Sequence, residues 1–394
     1  MYVRDERIEA SQQRTSLLVF STTIAGLAVL AIVWAVSAFL LSWYHSPKTT
    51  TSDPHSPSQR AARVTSDATS SAMECTGTRV SPGDNLSAVA ASESPGTTFC
   101  IHDGKYSVGR PILLQSGDSF VGLYSDGSRP VVSTDRAKEI FDGLYEVAGL
   151  PDGSPPYVAD RVRIEGLRVT GAVGGERCSP ECGRGIGGGK NLTVVDVRSD
   201  HNANQGIGGT QSGLLVEGSV LDYNGSEPFL DFDGHGSAAG VKSVNSMTVR
   251  NTRLYANAWT GIWCDRGCAP FTVENVTSNR NGKSGLQCEL SNGPATISNS
   301  TFESNGWSES AYGHKGIVIA GIVIAAAQNL EVYGNTFGYN VGHSVEVVND
   351  NRGPRLANVS IHDNILNGDT IKGCGIAESV TCANNTPYSG LLGH

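Results

Sequence analysis

The stretches NLTVVDVRSDHNANQGIGG (191–209), SMTVRNTRLYANAWTGIWCD (246–265) and FTVENVTSNRNGKSGLQCE (271–289) are three copies of one pattern. Each opens with a short alternating strand, passes a turn, and continues in a second short strand. An Asn or Gly then leads to a third strand headed by glycine. ATISNSTFESNGW from Ala295, NLEVYGNTFGYNVGHSVEV from Asn329 and VSIHDNILNGD from Val359 repeat the pattern. The glycine starts are Gly185, Gly206, Gly240, Gly261, Gly285 and Gly321, spaced 21, 34, 21, 24 and 36 residues apart. A unit of 21–24 residues with two insertions indicates a solenoid, whose units bury their inner faces only by stacking. Strand pieces of four or five residues with period two exclude helical repeats.

Composition agrees with that reading. Glycine supplies 48 of 394 residues, against a usual share of roughly 7%. Charged residues are only 17% of the chain, which argues against a coiled coil or a highly charged disordered protein. With 29 basic and 38 acidic residues the net charge is −9, the wrong sign for a phosphate-binding surface, so no nucleic acid partner is expected. Of 24 asparagines, 23 lie after residue 190, where the coils are.

The N-terminal part differs. Leu17–Leu41 runs 25 residues without a charge. As a helix it spans roughly 37 Å, enough to cross a hydrocarbon core of about 30 Å. Arg4, Arg7 and Arg14 precede it and Trp43 and Tyr44 close it, which predicts a single-pass anchor with its N-terminus in the cytoplasm. A cleaved signal peptide is the alternative, though its apolar core is usually 7–15 residues. The expected order is a cytoplasmic tail (1–16), a transmembrane helix (17–41), a disordered Ser/Thr/Pro-rich stalk (42–74), a cap with the first coils (75–159), and the repeat domain with its C-terminal tail (160–394). None of the nine cysteines precedes residue 75, and Cys178/Cys182, Cys264/Cys268 and Cys374/Cys382 form close pairs, with Cys75 and Cys100 available to staple a cap. Such usage suits disulfides outside the cytoplasm.

The coil pattern resembles the right-handed parallel β-helix repeat of the pectate-lyase-like superfamily, over roughly residues 160–370. CTGTRVSPGDNLSAVAASESPGTTFCIHDGKYSV, from Cys75, resembles the helix-plus-strand cap that opens many such domains. GIWCDRGC with GLQCELS one coil later is similar to a bacterial right-handed β-helix family of mostly unassigned activity. The resemblance implies an all-β solenoid with a groove along one outer sheet, and says little about activity, since one superfold carries many.

Alternation sorts the side chains of the glycine-led strands. Ile262 and Cys264 share one face with Leu286 and Cys288. Trp263, Asp265, Gln287 and Glu289 share the other, and the same register turns Lys242 outward in the preceding rung, with Glu346 outward on a later one. Rungs lie about 4.8 Å apart, so Asp265 and Glu289 are expected as adjacent carboxylates on the solvent face. Asp265, Glu289 and Lys242 are the candidate catalytic groups, and Trp263 and Gln287 candidate sugar contacts. The insertion DYNGSEPFLDFDGHGSAAG, from Asp222, adds Asp231, Asp233 and His235 above the same groove, and a second adds His314 and Lys315. Paired carboxylates can divide acid and base roles in a hydrolase. A lysine or arginine can serve as base in a lyase. The same carboxylates can instead be solvated, or hold Ca²⁺ between rungs. The expected functions are therefore a polysaccharide hydrolase or lyase, a noncatalytic glycan- or partner-binding surface protein, or a structural spacer. Cys264 and Cys288 can form a free-thiol ladder or a cross-rung disulfide, in competition with Cys264–Cys268.

Overall fold

A computed structural model describes residues 75–124, 127–145, 155–174, 182–226, 237–307, 318–368, 370–377 and 379–387. The expected tail, transmembrane helix and stalk lie outside these residues. Among the described residues no helix is long and apolar enough to cross a membrane.

Each coil is short strands joined by residues in the left-handed region, which break a strand without needing a long loop. In one coil the strand Phe271–Glu274 ends at Asn275 (φ 50°), Thr277–Asn279 ends at Arg280 (φ 53°), and Ser284–Glu289 completes the turn. Stacking the coils gives three parallel sheets of 12, 11 and 10 strands, one for each strand position. Register is kept from rung to rung: Met247 pairs with Phe271, Phe271 with Ala295, and Ala295 with Leu330. The inward positions therefore form apolar columns, with Ile207, Val241, Ile262, Leu286 and Ile322 all fully buried in the third sheet. Phe302 and Phe337 stack within the second sheet, their ring centres 5.6 Å apart.

The asparagines line a turn and close its backbone hydrogen bonds inside the core. Asn202, Asn224, Asn257, Asn281, Asn305 and Asn340 form a ladder between the second and third sheets. In it the Oδ1 of every asparagine after Asn202 accepts from both the backbone N–H and the side-chain amide of the asparagine one rung earlier. Asn335, Asn364 and Asn385 do the same at the first turn. The glycine that heads each third strand faces this ladder. A Cβ on Gly261 would lie 2.4 Å from Ser278 Oγ and 2.5 Å from the Gly285 carbonyl oxygen, so no other residue fits. The N-x-S/T residues Asn191 and Asn275 both sit in left-handed turns, as turn residues should.

At the N-terminal end the helix Leu86–Ser92 is capped by Asn85, whose side chain accepts from the Ala88 N–H, and it buries Leu86 and Ala90. Stacking begins in the stretch before residue 160. Thr98–His102 pairs with Ser119–Leu123, which pairs with Arg163–Glu165, so pairing crosses residue 159 without a break.

Cys75–Cys100 and Cys374–Cys382 are disulfides, and Cys182 is disulfide-bonded. Cys264 and Cys268 are not joined. They and Cys288 are buried free thiols, with Cys288 Sγ 3.5 Å from Cys264 Sγ, while Cys264 Sγ donates to the Cys268 carbonyl. The in-register pairing of Cys264 with Cys288 makes the thiol ladder the arrangement found.

Candidate functional site

The outward column of the third sheet runs Asp142, Gly187, Gly208, Lys242, Trp263, Gln287, Val323, Glu346 and Lys372, one residue per rung. Lys242, Trp263 and Gln287 thus stand on three successive rungs, as their sequence register required. Asp265 and Glu289 come two residues after Trp263 and Gln287, Asp265 just past the end of the strand Thr260–Cys264 and Glu289 at the end of Ser284–Glu289.

These side chains do not stand in open solvent as expected. Trp263 is 6% exposed, and Asp265, Gln287 and Glu289 are buried. The face assignment holds, because Ile262 and Cys264 join the inner core while Trp263 joins a separate apolar cluster with Trp259, Cys182, Ala238 and Ala239. Alternation reports which side of a sheet a residue takes, and cannot report what covers that side. Asp233 and His235, with Asp231, His314 and Lys315, lie outside the described residues.

Trp263 organises the charges around it. Lys242 Nζ sits 3.5 Å from the centre of the indole and 3.2 Å from Asp265 Oδ2. The indole N–H donates to Glu289 Oε1 at 2.9 Å, and Glu289 Oε2 accepts from Arg352 at 2.6 Å, which also pairs with Asp350. Lys283 Nζ lies 5.4 Å from the Trp259 ring centre and 5.5 Å from that of Trp263, and donates to Gln287 Oε1 at 2.6 Å. The two carboxylates expected to act as a pair are therefore held by different cations. Further along, Glu346 pairs with Lys372 at 2.6 Å.

The amines are the perturbed groups. Burial lowers the pKa of Lys242, opposed by Asp265. Burial brings Lys283 down to about 8, with Glu289 opposing the shift and Lys242 and Arg352 adding to it. A half-buried amine with a pKa near 8 has a usable neutral fraction at physiological pH, which an ordinary lysine lacks. Among the described residues no three His, Cys, Asp or Glu side chains gather to hold a metal ion, so the Ca²⁺ reading gains no ligand set there.

Earlier on the same face, Glu139 pairs with Arg184 at 3.1 Å, both buried, and burial raises the Asp142 pKa. Gly187 and Gly208 leave the space for this cluster: a Cβ on Gly187 would lie 2.7 Å from Glu139 Oε2, and one on Gly208 would overlap the Gln205 amide oxygen.

Sequence reasoning missed Lys283, Trp259 and Arg352. Trp259 and Lys283 occupy one coil position, just ahead of the third strand, so aligning the coils one residue further back would have exposed both. Arg352 reaches Glu289 from 63 residues along the chain, and no spacing signals that.

Residues 180–366 match the family described as the right handed beta helix region. No curated protein matches the chain by sequence. Among solved structures the chain is similar to PfbA, a surface adhesin of Streptococcus pneumoniae. The identity is 14%, covering 79% of this chain and 90% of that one, with a TM-score of 0.50. It is also similar to the A-module of AlgE6, a mannuronan C-5 epimerase of Azotobacter vinelandii, at 16% identity over 77% and 93% of the two chains, with a TM-score of 0.48. Pectate lyase Pel9A gives 16% identity, 79% of each chain and a TM-score of 0.48. At 14% identity the likeness to PfbA is one of fold.

Proposed function

We propose, from the premise that the chain is a right-handed parallel β-helix protein with the fold of the pectate-lyase-like superfamily, that it is a carbohydrate-active enzyme working on acidic polysaccharide. The observation that carries this reading is Lys283, an amine brought to a pKa of about 8 by burial between two indoles. In its neutral form it takes the proton from the carbon next to a uronate carboxylate. The released electron pair forms the adjacent C=C bond as the glycosidic C–O bond breaks, and the leaving oxygen takes a proton from water. Gln287 holds the amine, and Glu289 is the charge that most opposes the lowering of its pKa. Lys242 and Asp265 position Trp263 rather than react. One face of that indole is already covered by the Lys242 ammonium and is closed to a sugar ring.

A hydrolase using Asp265 and Glu289 fits less well. Each carboxylate is already engaged by a cation of the protein, Asp265 by Lys242 and Glu289 by Arg352, so the two do not face each other as a free pair. The second reading is a noncatalytic glycan-binding surface protein. It is favoured by the closure of the network, in which Trp263 is nearly buried and the carboxylates of Asp265 and Glu289 are each paired with a cation. The deciding experiment incubates the full-length protein with a panel of polyuronates and monitors unsaturated uronide. Its formation is the expected result. Binding without any such product would replace the enzyme by a binding protein.

The Lys283 reading also fixes a pH dependence. Turnover rises with pH through about 8 as the amine loses its proton. Stability has the same sign. Between about 8 and the ordinary lysine value of 10.5 the unfolded chain holds a proton that the folded chain has released, so unfolding becomes harder as pH rises. Melting temperatures across this window, for wild type and Lys283→Met, check it: the variant should lose part of the rise.

The same proposal places the domain outside the cytoplasm, tethered by residues 17–41. The disulfides Cys75–Cys100 and Cys374–Cys382 support an oxidising compartment. Protease added to intact cells should cut within 42–74 and release the β-helix. A protein that stays whole on cells whose exposed surface proteins are digested would reverse this placement.

A further inference from the structure

The edge where the second sheet turns into the third carries aromatic and cationic side chains on six successive rungs. Among the described residues seven large hydrophobic side chains are exposed, and three stand here: Tyr223 at 45%, Trp307 at 52% and Tyr339 at 59%. Tyr223 and Trp307 are linked through the residues between them. His201 stacks on Tyr223 with ring centres 5.2 Å apart, and Tyr223 meets Tyr255 edge-on at 5.7 Å. Arg253 and Arg280 flank the Tyr255 ring at 5.5 and 5.9 Å, Arg280 also donates to the Tyr255 hydroxyl, and the Trp307 indole donates to the Arg280 carbonyl.

The backbone gives an independent reason to regard this edge as selected for its side chains. One residue per rung turns the corner in the left-handed region: His201 (φ 51°), Tyr223 (56°), Ala256 (51°), Arg280 (53°), Ser304 (53°) and Tyr339 (56°). The turn between the first and second sheets has the same geometry, at Asp196, Gly218, Asn251, Asn275, Asn299, Gly334 and Asp363. That second series is all Gly, Asn or Asp, the residues that tolerate this conformation. At the aromatic edge, histidine, tyrosine and arginine accept a strain that asparagine would avoid, although packing inside the turn asks nothing of their exposed side chains.

We propose that this edge is a binding site for an extended acidic polysaccharide, lying along the solenoid axis across about 24 Å, five rung spacings. Flat rings with one free face suit the apolar faces of sugar rings. The charge is locally reversed as well. Arg253 and Arg280 are exposed; the buried Asp200 and Asp222 are paired with Arg168 and Arg198, and Arg253 adds only a longer 3.8 Å contact to Asp222. On a chain of net charge −9 this is a cationic strip, and it complements uronate carboxylates. The inference deepens the polysaccharide reading, but it is read by binding and not by turnover.

The test measures binding of the full-length protein to polygalacturonate and to a neutral glucan, for wild type and for Tyr223→Asn/Arg280→Asn/Tyr339→Asn. Wild type should prefer the acidic polymer, with an affinity that falls as salt rises. The triple variant should bind roughly tenfold or more weakly. Its melting temperature should stay level or rise, because asparagine suits the left-handed turn. Equal binding by the variant, equal binding of the neutral glucan, or no binding by wild type would each overturn the proposal. Should the triple variant melt early, Arg280→Asn and Tyr339→Asn singly give the same reading. Unsaturated uronide formed by a variant that binds like wild type sinks this site and keeps the enzyme. Ridge-dependent binding without product does the reverse.

Discussion

Replacing Asn281 by leucine should lower the folding free energy by about 4 kcal/mol or more, among the largest effects available to a single side chain in this molecule. The Asn281 amide donates to Ser278 Oγ and to Asn305 Oδ1, and its Oδ1 accepts from both the backbone and the side chain of Asn257. Leucine removes these bonds and leaves the Asn257 donors and the Asn305 acceptor short of a partner inside a dry turn, where each orphan costs about 1–3 kcal/mol. The ladder is continuous, so the loss spreads to both neighbouring rungs. Asn251→Gly is the control, because glycine keeps the left-handed turn (φ 51°) that alanine would strain. Asn251 lies in an exposed turn and accepts one bond from Asn275, so its loss should cost under about 1 kcal/mol. Denaturant unfolding of the two variants decides the matter; equal midpoints would mean that the ladder adds nothing beyond the turn itself.

The second large effect is on turnover. Lys283→Met should reduce formation of unsaturated uronide by roughly 10²–10⁴-fold, the usual contribution of a positioned general base. Lys283→Arg should not restore it, because a guanidinium stays protonated throughout the working range. Melting near the wild-type temperature and unchanged binding of polymer by the aromatic edge would separate this loss from misfolding. A Lys283→Met protein that keeps wild-type turnover removes Lys283 from the reaction. The pH profile gives a second check, since the rising limb near 8 belongs to this amine.

The fold was legible because a solenoid writes its geometry as a period. Gly261, Gly285 and Gly321 head strands in one sheet for a local steric reason, and their spacing is the length of a coil. The inward set Ile262, Cys264, Leu286 and Cys288 came from alternation alone. The earlier coils were harder to read, because Thr98–His102 and Ser119–Leu123 enter the first sheet without a glycine-led strand or an asparagine turn to mark them. The site was half legible. The order Lys242, Trp263, Gln287 came from register, but the burial of Trp263, the separation of Asp265 from Glu289 by different cations, and the arrival of Arg352 came from packing between distant segments. Alternation is a one-dimensional signal, and the cover over a sheet face is not.

The in-register stacking also sets the order in which the chain can assemble. Phe271 finds Ala295, and Ala295 finds Leu330, so a strand's partner is always the next coil and never the far end of the protein. With 24 residues between Phe271 and Ala295 and 35 between Ala295 and Leu330, the pairings are local by the standard of β-sandwiches. Loop closure is therefore cheap at each step, although strands are almost the only regular structure among the described residues. Once the helix Leu86–Ser92 and the first coil provide a template, each later segment can add to a finished edge as it becomes available, without waiting for the C-terminus. A nascent chain delivered N-terminus first would grow like a stack laid from one end, and a block at any rung would strand only the coils beyond it.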